Sequence, residues 1–291
     1  MNPLISVAEL VAQEGHVVVV DVRHDLNDPT AGLRAYAAGH LPEAAFLSVD
    51  EDLSGEATPS NGGRHPLPQQ EDFIQRLNDI GGTEETLFIA YDDSGGAFAA
   101  RFWWLCRWVG HLHVGVLNGG FKAWTAAGGL LQAEEPNKNR NPGPKRARKI
   151  ASRPSLSPRW NLEAMEAWVS SGSSREIATV IDARSLERYR GDHEPLDPVA
   201  GHIPGAICRP SSLNLTEDGC FKSPSQLRQE FEVLLDGRDP TEVIHSCGSG
   251  ITACHNLLAM EAAGLTGSVL YPGSWSEWCA AAHRPIAVGS S

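Results

Sequence analysis

Apolar residues come in short bursts along this chain, among them Val17-Val18-Val19-Val20, Leu87-Phe88-Ile89-Ala90, Val180-Ile181 and Val243-Ile244. Bursts this short and this rich in β-branched side chains predict strands buried on both faces. Between them, apolar residues recur every three or four positions, which predicts helices over Gln70–Leu77, Ala97–Val109, Ser225–Leu235 and Thr252–Ala263. Strands alternating with amphipathic helices imply an α/β fold, a central, mostly parallel sheet flanked by helices.

The pattern occurs twice. Val19-Val20-Asp21-Val22-Arg23 matches Val180-Ile181-Asp182-Ala183-Arg184, and Gly39-His40-Leu41-Pro42-Glu43-Ala44 matches Gly201-His202-Ile203-Pro204-Gly205-Ala206. Leu87 to Gly95 lines up with Glu242 to Gly250, and Asn118-Gly119-Gly120-Phe121-Lys122-Ala123-Trp124 with Pro272-Gly273-Ser274-Trp275-Ser276-Glu277-Trp278. Four landmarks in one order predict a duplicated domain. The halves are expected at 1–131 and 160–291. The stretch 132–159 between them, rich in Pro, Asn, Lys and Arg and without periodicity, is expected to be a linker.

Composition narrows the partners. A formal charge of −12 argues against nucleic acid or an anionic membrane as the main partner. The N-terminus carries no secretory pattern and no run of about 18 apolar residues occurs, so a cytoplasmic protein is expected. Six cysteines are scattered with no CxxC pair, which disfavours a disulfide framework or a zinc site. No metal or organic cofactor is implied.

The chemistry concentrates at Cys247. An apolar stretch delivers it into the loop Cys247-Gly248-Ser249-Gly250-Ile251-Thr252-Ala253, and a predicted helix follows. Glycines let consecutive N–H groups turn inward at a helix N-terminus, a setting that stabilises a thiolate. A phosphatase cradle would carry arginine six positions after its cysteine, where this chain has Ala253. A serine nucleophile elbow would place glycines two before and two after Ser249, where Cys247 and Ile251 stand. In the first half the matching position is Asp92, a carboxylate able to fill an anion cradle but not to act as a sulfur nucleophile.

Taken together, the paired Asp-x-Arg strands, the Gly-His-(Leu/Ile)-Pro-x-Ala segments, the Cys247 loop and Gly273-Ser274-Trp275-Ser276-Glu277-Trp278 resemble the rhodanese superfamily, specifically its tandem-domain sulfurtransferases. The resemblance implies an inactive N-terminal domain and a catalytic C-terminal domain. It also implies ping-pong transfer of a sulfane sulfur through a Cys247 persulfide to cyanide, a thiol or a protein, with a thioredoxin-like reductant as a further candidate acceptor. The neutral loop is similar to that of 3-mercaptopyruvate sulfurtransferases, in which the loop serine is linked to a histidine and an aspartate. Those positions match Ser249, His65 and Asp50. The resemblance assigns substrate binding to Gly248, Gly250, Ile251, Thr252 and Arg188. The family's second substrate arginine falls in a Glu-Pro-Arg segment, whereas this chain reads Glu194-Pro195-Leu196-Asp197. Arg190 is the candidate to replace it. Thiosulfate is the alternative donor, and a non-catalytic persulfide relay the alternative of another class. Arg23 and Arg184 are expected to brace strand ends through salt bridges.

Overall fold

A computed structural model describes residues 2–58, 62–134, 148–174 and 176–290. Among them the chain forms two compact units. The first comprises residues 1–55, 68–156 and 216–221, and the second 56–67, 157–215 and 222–291. This division differs from the expected contiguous halves at two places: residues 56–67 pack with the second unit, and 216–221 with the first. The expected linker is divided too. Residues 148–156 are pinned within the first unit, where Ile150 exchanges hydrogen bonds with the Asn78 side chain and Arg153 pairs with Glu84. Most of the basic cluster at 145–149 lies outside the described residues.

The first unit is built on a five-stranded sheet of β1 (Leu4–Ile5), β2 (Val17–Asp21), β3 (Ala45–Phe46), β4 (Leu87–Tyr91) and β5 (Val114–Leu117). Its strand order is β1-β5-β4-β2-β3 and every pairing is parallel. The second unit carries β6 (Thr179–Asp182), β7 (Ile207–Cys208), β8 (Val243–Ser246) and β9 (Val269–Leu270) in the order β7-β6-β8-β9, again all parallel. The predicted helices form at Gln70–Asp79, Ala97–Trp108, Pro224–Leu235 and Thr252–Ala262. Local chemistry sets their ends. The helix Pro224–Leu235, for example, starts on a Ser223–Gln226 capping box with proline in its first turn and stops at Asp236 in the left-handed conformation.

The duplication extends to individual hydrogen bonds. Arg23 forks onto Asp21 and donates to the Gly39 carbonyl at 2.8 Å; Arg184 forks onto Asp182 and donates to the Gly201 carbonyl at 2.7 Å. Both arginines therefore brace strand ends, as expected. The histidine of each Gly-His-x-Pro segment stacks at 3.7 Å on a tyrosine, His40 on Tyr36 and His202 on Tyr189. Each tyrosine hydroxyl in turn donates to the carbonyl of the segment's alanine, Ala44 or Ala206. The repeated histidines are structural corners. Trp275 and Trp278, with packing or the mouth of a cleft as alternatives from sequence, are both buried in the second unit's core beside Tyr189 and Tyr271. Among the described residues no helix is long and apolar enough to cross a membrane.

Candidate active site

In the second unit, β6 and β8 end side by side, Asp182 opposite Ser246. The carboxyl ends of parallel strands are where α/β folds place their ligands. Cys247 follows β8 directly and is 1% exposed. The Gly250 amide donates to its Sγ at 3.1 Å, and the helix Thr252–Ala262 begins two residues later. Gly250 is obligatory here. Its φ is +78°, and a side chain would put a Cβ 2.4 Å from the Pro272 carbonyl oxygen.

The loop's orientation is fixed from the other side by the short helix Ser274–Trp278. The amides of Trp275 and Ser276 donate to the carbonyls of Cys247 and Gly248 at 3.0 and 2.9 Å. With those carbonyls held by the helix, the Gly250 N–H is the loop amide that meets the sulfur. Ser274 completes the arrangement: its hydroxyl oxygen accepts the Cys247 amide at 3.0 Å, donates to the Tyr271 carbonyl and lies 3.9 Å from Sγ. Ser274 holds φ +53°, and Gly120 at the matching place in the first unit holds +56°. A serine has thus taken a glycine's conformation, which is costly for a side-chain-bearing residue. This residue was missed in the sequence, although its pairing with Gly120 was the available signal.

The first unit shows what the same cradle does with a carboxylate. Asp92 accepts four backbone amides, those of Ser94, Gly96, Phe98 and Ala99, at 2.8–2.9 Å. Burial pushes its pKa up and the four donors pull the other way. The site is filled by the protein's own side chain.

Ser249 and His65 meet in the second unit, with Oγ and Nδ1 2.7 Å apart and both residues buried. Asp50, the expected third member, belongs to the first unit, where its carboxylate lies 4.0 Å from His24 Nε2. Ile251 and Thr252 form the turn into the helix.

Arg188 stands beside Gly248. A Cβ built there would be 3.3–3.4 Å from its terminal nitrogens and 3.0 Å from Arg64 Nη2. A side chain at Gly248 would therefore crowd the two guanidiniums, and its φ does not require glycine. Arg188 forks onto Glu194 at 2.7 and 3.0 Å and reaches Asp197 at 3.3 Å; Arg64 pairs with the other oxygen of Asp197. Glu194 also receives Arg184 at 3.2 Å. Burial alone would raise the Glu194 carboxyl, but hydrogen bonds from Arg188 and the amides of Leu196 and Asp197 hold it below its usual value. Burial raises Asp197 despite Arg64. Arg190 does not join this network. Its Nε is buried without a partner, and its charge acts on Glu187 and Cys208. Among the described residues Arg190, the candidate for the second cation, makes no ion pair with Glu194 or Asp197. It lies two residues from Arg188 on a short helix.

Among the other cysteines, burial pushes Cys208 up to about 12 and Cys279 to about 11, and Cys106 well above the ordinary thiol value. Cys254 is a core residue whose thiol donates to the Gly250 carbonyl at 3.3 Å.

The rhodanese-like domain model matches residues 6–127 and again 163–281. The chain belongs to the rhodanese family. It carries two rhodanese domains in tandem, and the family's tandem sulfurtransferases match it along its length. It is 41% identical over 289 residues to a "Probable 3-mercaptopyruvate sulfurtransferase" of Pseudomonas aeruginosa, covering 98% of each chain. It is 33% identical over 251 residues to the thiosulfate sulfurtransferase of Bos taurus, covering 84% of this chain and 79% of that one. Among solved structures, the 3-mercaptopyruvate sulfurtransferase of Leishmania major superposes with a TM-score of 0.80 at 30% identity, covering 97% of this chain and 75% of that one. The protein is a sulfurtransferase of this rhodanese type.

Proposed function

We propose that this rhodanese protein takes sulfur from 3-mercaptopyruvate, carries it as a persulfide on Cys247 and delivers it to a thiol or to cyanide in the cytoplasm. The observation that carries the donor assignment is the 2.7 Å contact between His65 and Ser249 beside the nucleophile. A mercaptopyruvate donor leaves an enolate that needs a proton, and a hydroxyl coupled to an imidazole is a means of delivering one. Asp50, which the family resemblance makes the third member, is the group that would orient the imidazole.

The Cys247 thiolate attacks the donor sulfur and forms the S–S bond as the carbon–sulfur bond breaks. The electron pair goes to the pyruvate enolate, which takes up a proton through Ser249 and His65. Loss of the proton that the transferred sulfur brought from the donor leaves a persulfide anion, which the Gly250 amide and the helix dipole favour. In the second half-reaction an acceptor thiolate or cyanide attacks the outer sulfur and Cys247 departs as thiolate.

Charge supports a monoanionic donor. Among the described residues, the ion-pair network beside the loop joins three guanidiniums, Arg64, Arg184 and Arg188, to three carboxylates, Asp182, Glu194 and Asp197. A dianion added beside a thiolate gains little from so balanced a network. Thiosulfate is the second reading, favoured by the two guanidiniums that converge on Gly248. Donor specificity constants measured side by side decide between them, with mercaptopyruvate expected to lead. Cys247→Ser is expected to abolish turnover with both. Mass spectrometry after donor treatment should find one added sulfur atom on the Cys247 peptide of wild type and none on the variant. A persulfide that forms without turnover to small acceptors would instead identify a relay module.

A further inference from the structure

The second unit contains an indole that the first unit lacks. Both units begin with a helix capped alike: the side chains of Ser6 and Asn161 accept the amides three residues on, those of Glu9 and Ala164. The first of these helices ends at Val11 after five residues and buries none of them. Its counterpart Leu162–Ser170 runs for nine and buries Met165 and Trp168. Seven residues beyond each cap stand Gln13 and Trp168. Trp168 is 2% exposed and packs in one core cluster with Ala178, Val180 and Ile203. In the first unit Gln13 is exposed, and Val17 and Val19, which match Ala178 and Val180, are only half-buried.

An open cavity of about 280 Å³ results, lined by Leu10, Val17, Val19, Leu41, Pro42 and Trp124 among others. We propose that this cavity is a binding site for a small aromatic cation, an indole-sized ring bearing an ammonium group. Its walls match those that enclose Trp168 in the second unit, and its size is near the lower end of the about 300–1,000 Å³ of small-molecule sites. The site is independent of the donor assigned to Cys247.

Glu43 supplies the partner for the charge. It matches Gly205, and both hold positive φ, +57° and +84°. A side chain at Gly205 would put its Cβ 2.2 Å from Ser173 Cβ and 3.2 Å from Trp168 Cη2. A carboxylate therefore fits only where that indole is missing, and the open cavity and the acid occur together. A side chain held at positive φ costs stability, an outlier of the kind found at ligand sites. Gln132 steadies it, Nε2 donating to Glu43 Oε1 at 3.2 Å and Oε1 accepting the Glu43 N–H at 2.8 Å. Among the described residues lining the cavity no other carries a charge. Apolar walls with one carboxylate at the rim select an apolar ring with a positive end.

The test is a ligand-observed NMR titration of the full chain with tryptamine, indole and indole-3-propionate. Tryptamine is expected to bind saturably with a dissociation constant of about 1 mM or below. Indole-3-propionate, a similar ring with the opposite charge, should bind roughly tenfold more weakly. Glu43→Gln should weaken tryptamine roughly tenfold and leave indole within about twofold. Gln13→Trp and Val19→Trp, which fill the cavity from within, should each abolish binding of all three while sulfur transfer from Cys247 stays at the wild-type rate. No saturable tryptamine binding, equal affinities for tryptamine and indole-3-propionate, or binding retained in both filled variants overturns the site. Should neither filled variant fold, an unchanged tryptamine affinity in Glu43→Gln does the same. Wild-type self-association that Gln13→Trp removes, seen by sedimentation, would make a second copy of the chain the occupant and overturn the small-molecule site.

Discussion

At the scale of single residues, the setting of Cys247 Sγ rests on one backbone amide, that of Gly250, and on the helix start beside it. Cys247, Gly250 and the helix start were legible because glycines flanking a cysteine at a strand end have few other uses. Ser274 was not, because a hydroxyl in a glycine's place announces itself only when φ is known. Two substitutions separate its two effects. Ser274→Ala and Ser274→Gly both remove the hydroxyl that accepts the Cys247 amide, so both should slow persulfide formation to a similar degree. Only alanine keeps the strain of φ +53°. Urea unfolding should therefore find Ser274→Gly more stable than Ser274→Ala by about 1 kcal/mol. Equal stability would show that the backbone relaxes.

At the scale of elements, periodicity placed the helix ends within about two residues at Gln70, Ala97, Pro224 and Thr252. The two-residue strands at Leu4, Ala45, Ile207 and Val269 were invisible, since so short a pairing is set by its neighbours. Strand β8 contains a feature no pattern reveals, the fully buried His245. Its Nε2 lies 3.2 Å from Met260 Sδ and its Nδ1 has no partner. Burial, reinforced by Arg209, lowers its pKa from the ordinary 6.5 to about 3. Between those values the unfolded chain binds a proton at this histidine that the folded chain refuses, so folding loses stability as pH falls below 6.5. The deficit grows by about 1.4 kcal/mol for each pH unit down to the folded value. His245→Leu should remove this part of the slope. Its unfolding free energy, compared with wild type from pH 7 to pH 4, should improve steadily in relative terms, and a constant difference would refute the assignment. The first unit's counterpart offers a second check. Asp92→Asn turns an acceptor into a donor among four inward amides, which should cost roughly 3 kcal/mol or more in unfolding free energy.

At the scale of the whole molecule, duplication and fold class could both be read from the chain, because they rest on repeated patterns that survive without coordinates. The division into compact units could not, since it depends on where residues 56–67 and 216–221 pack, and no periodicity reports that. This exchange has a consequence for the order of synthesis. A ribosome that has made the first 131 residues has not yet made 216–221, which the first unit includes. The second unit, for its part, includes residues 222–291 and is complete only once they are made. Neither half should reach its native state while the chain is still short, and folding is expected to finish late and together. A nascent chain arrested at residue 160 should therefore remain protease-sensitive, and one extended well past 221 should become resistant. The full-length protein should show one unfolding transition in urea where a simple tandem would show two.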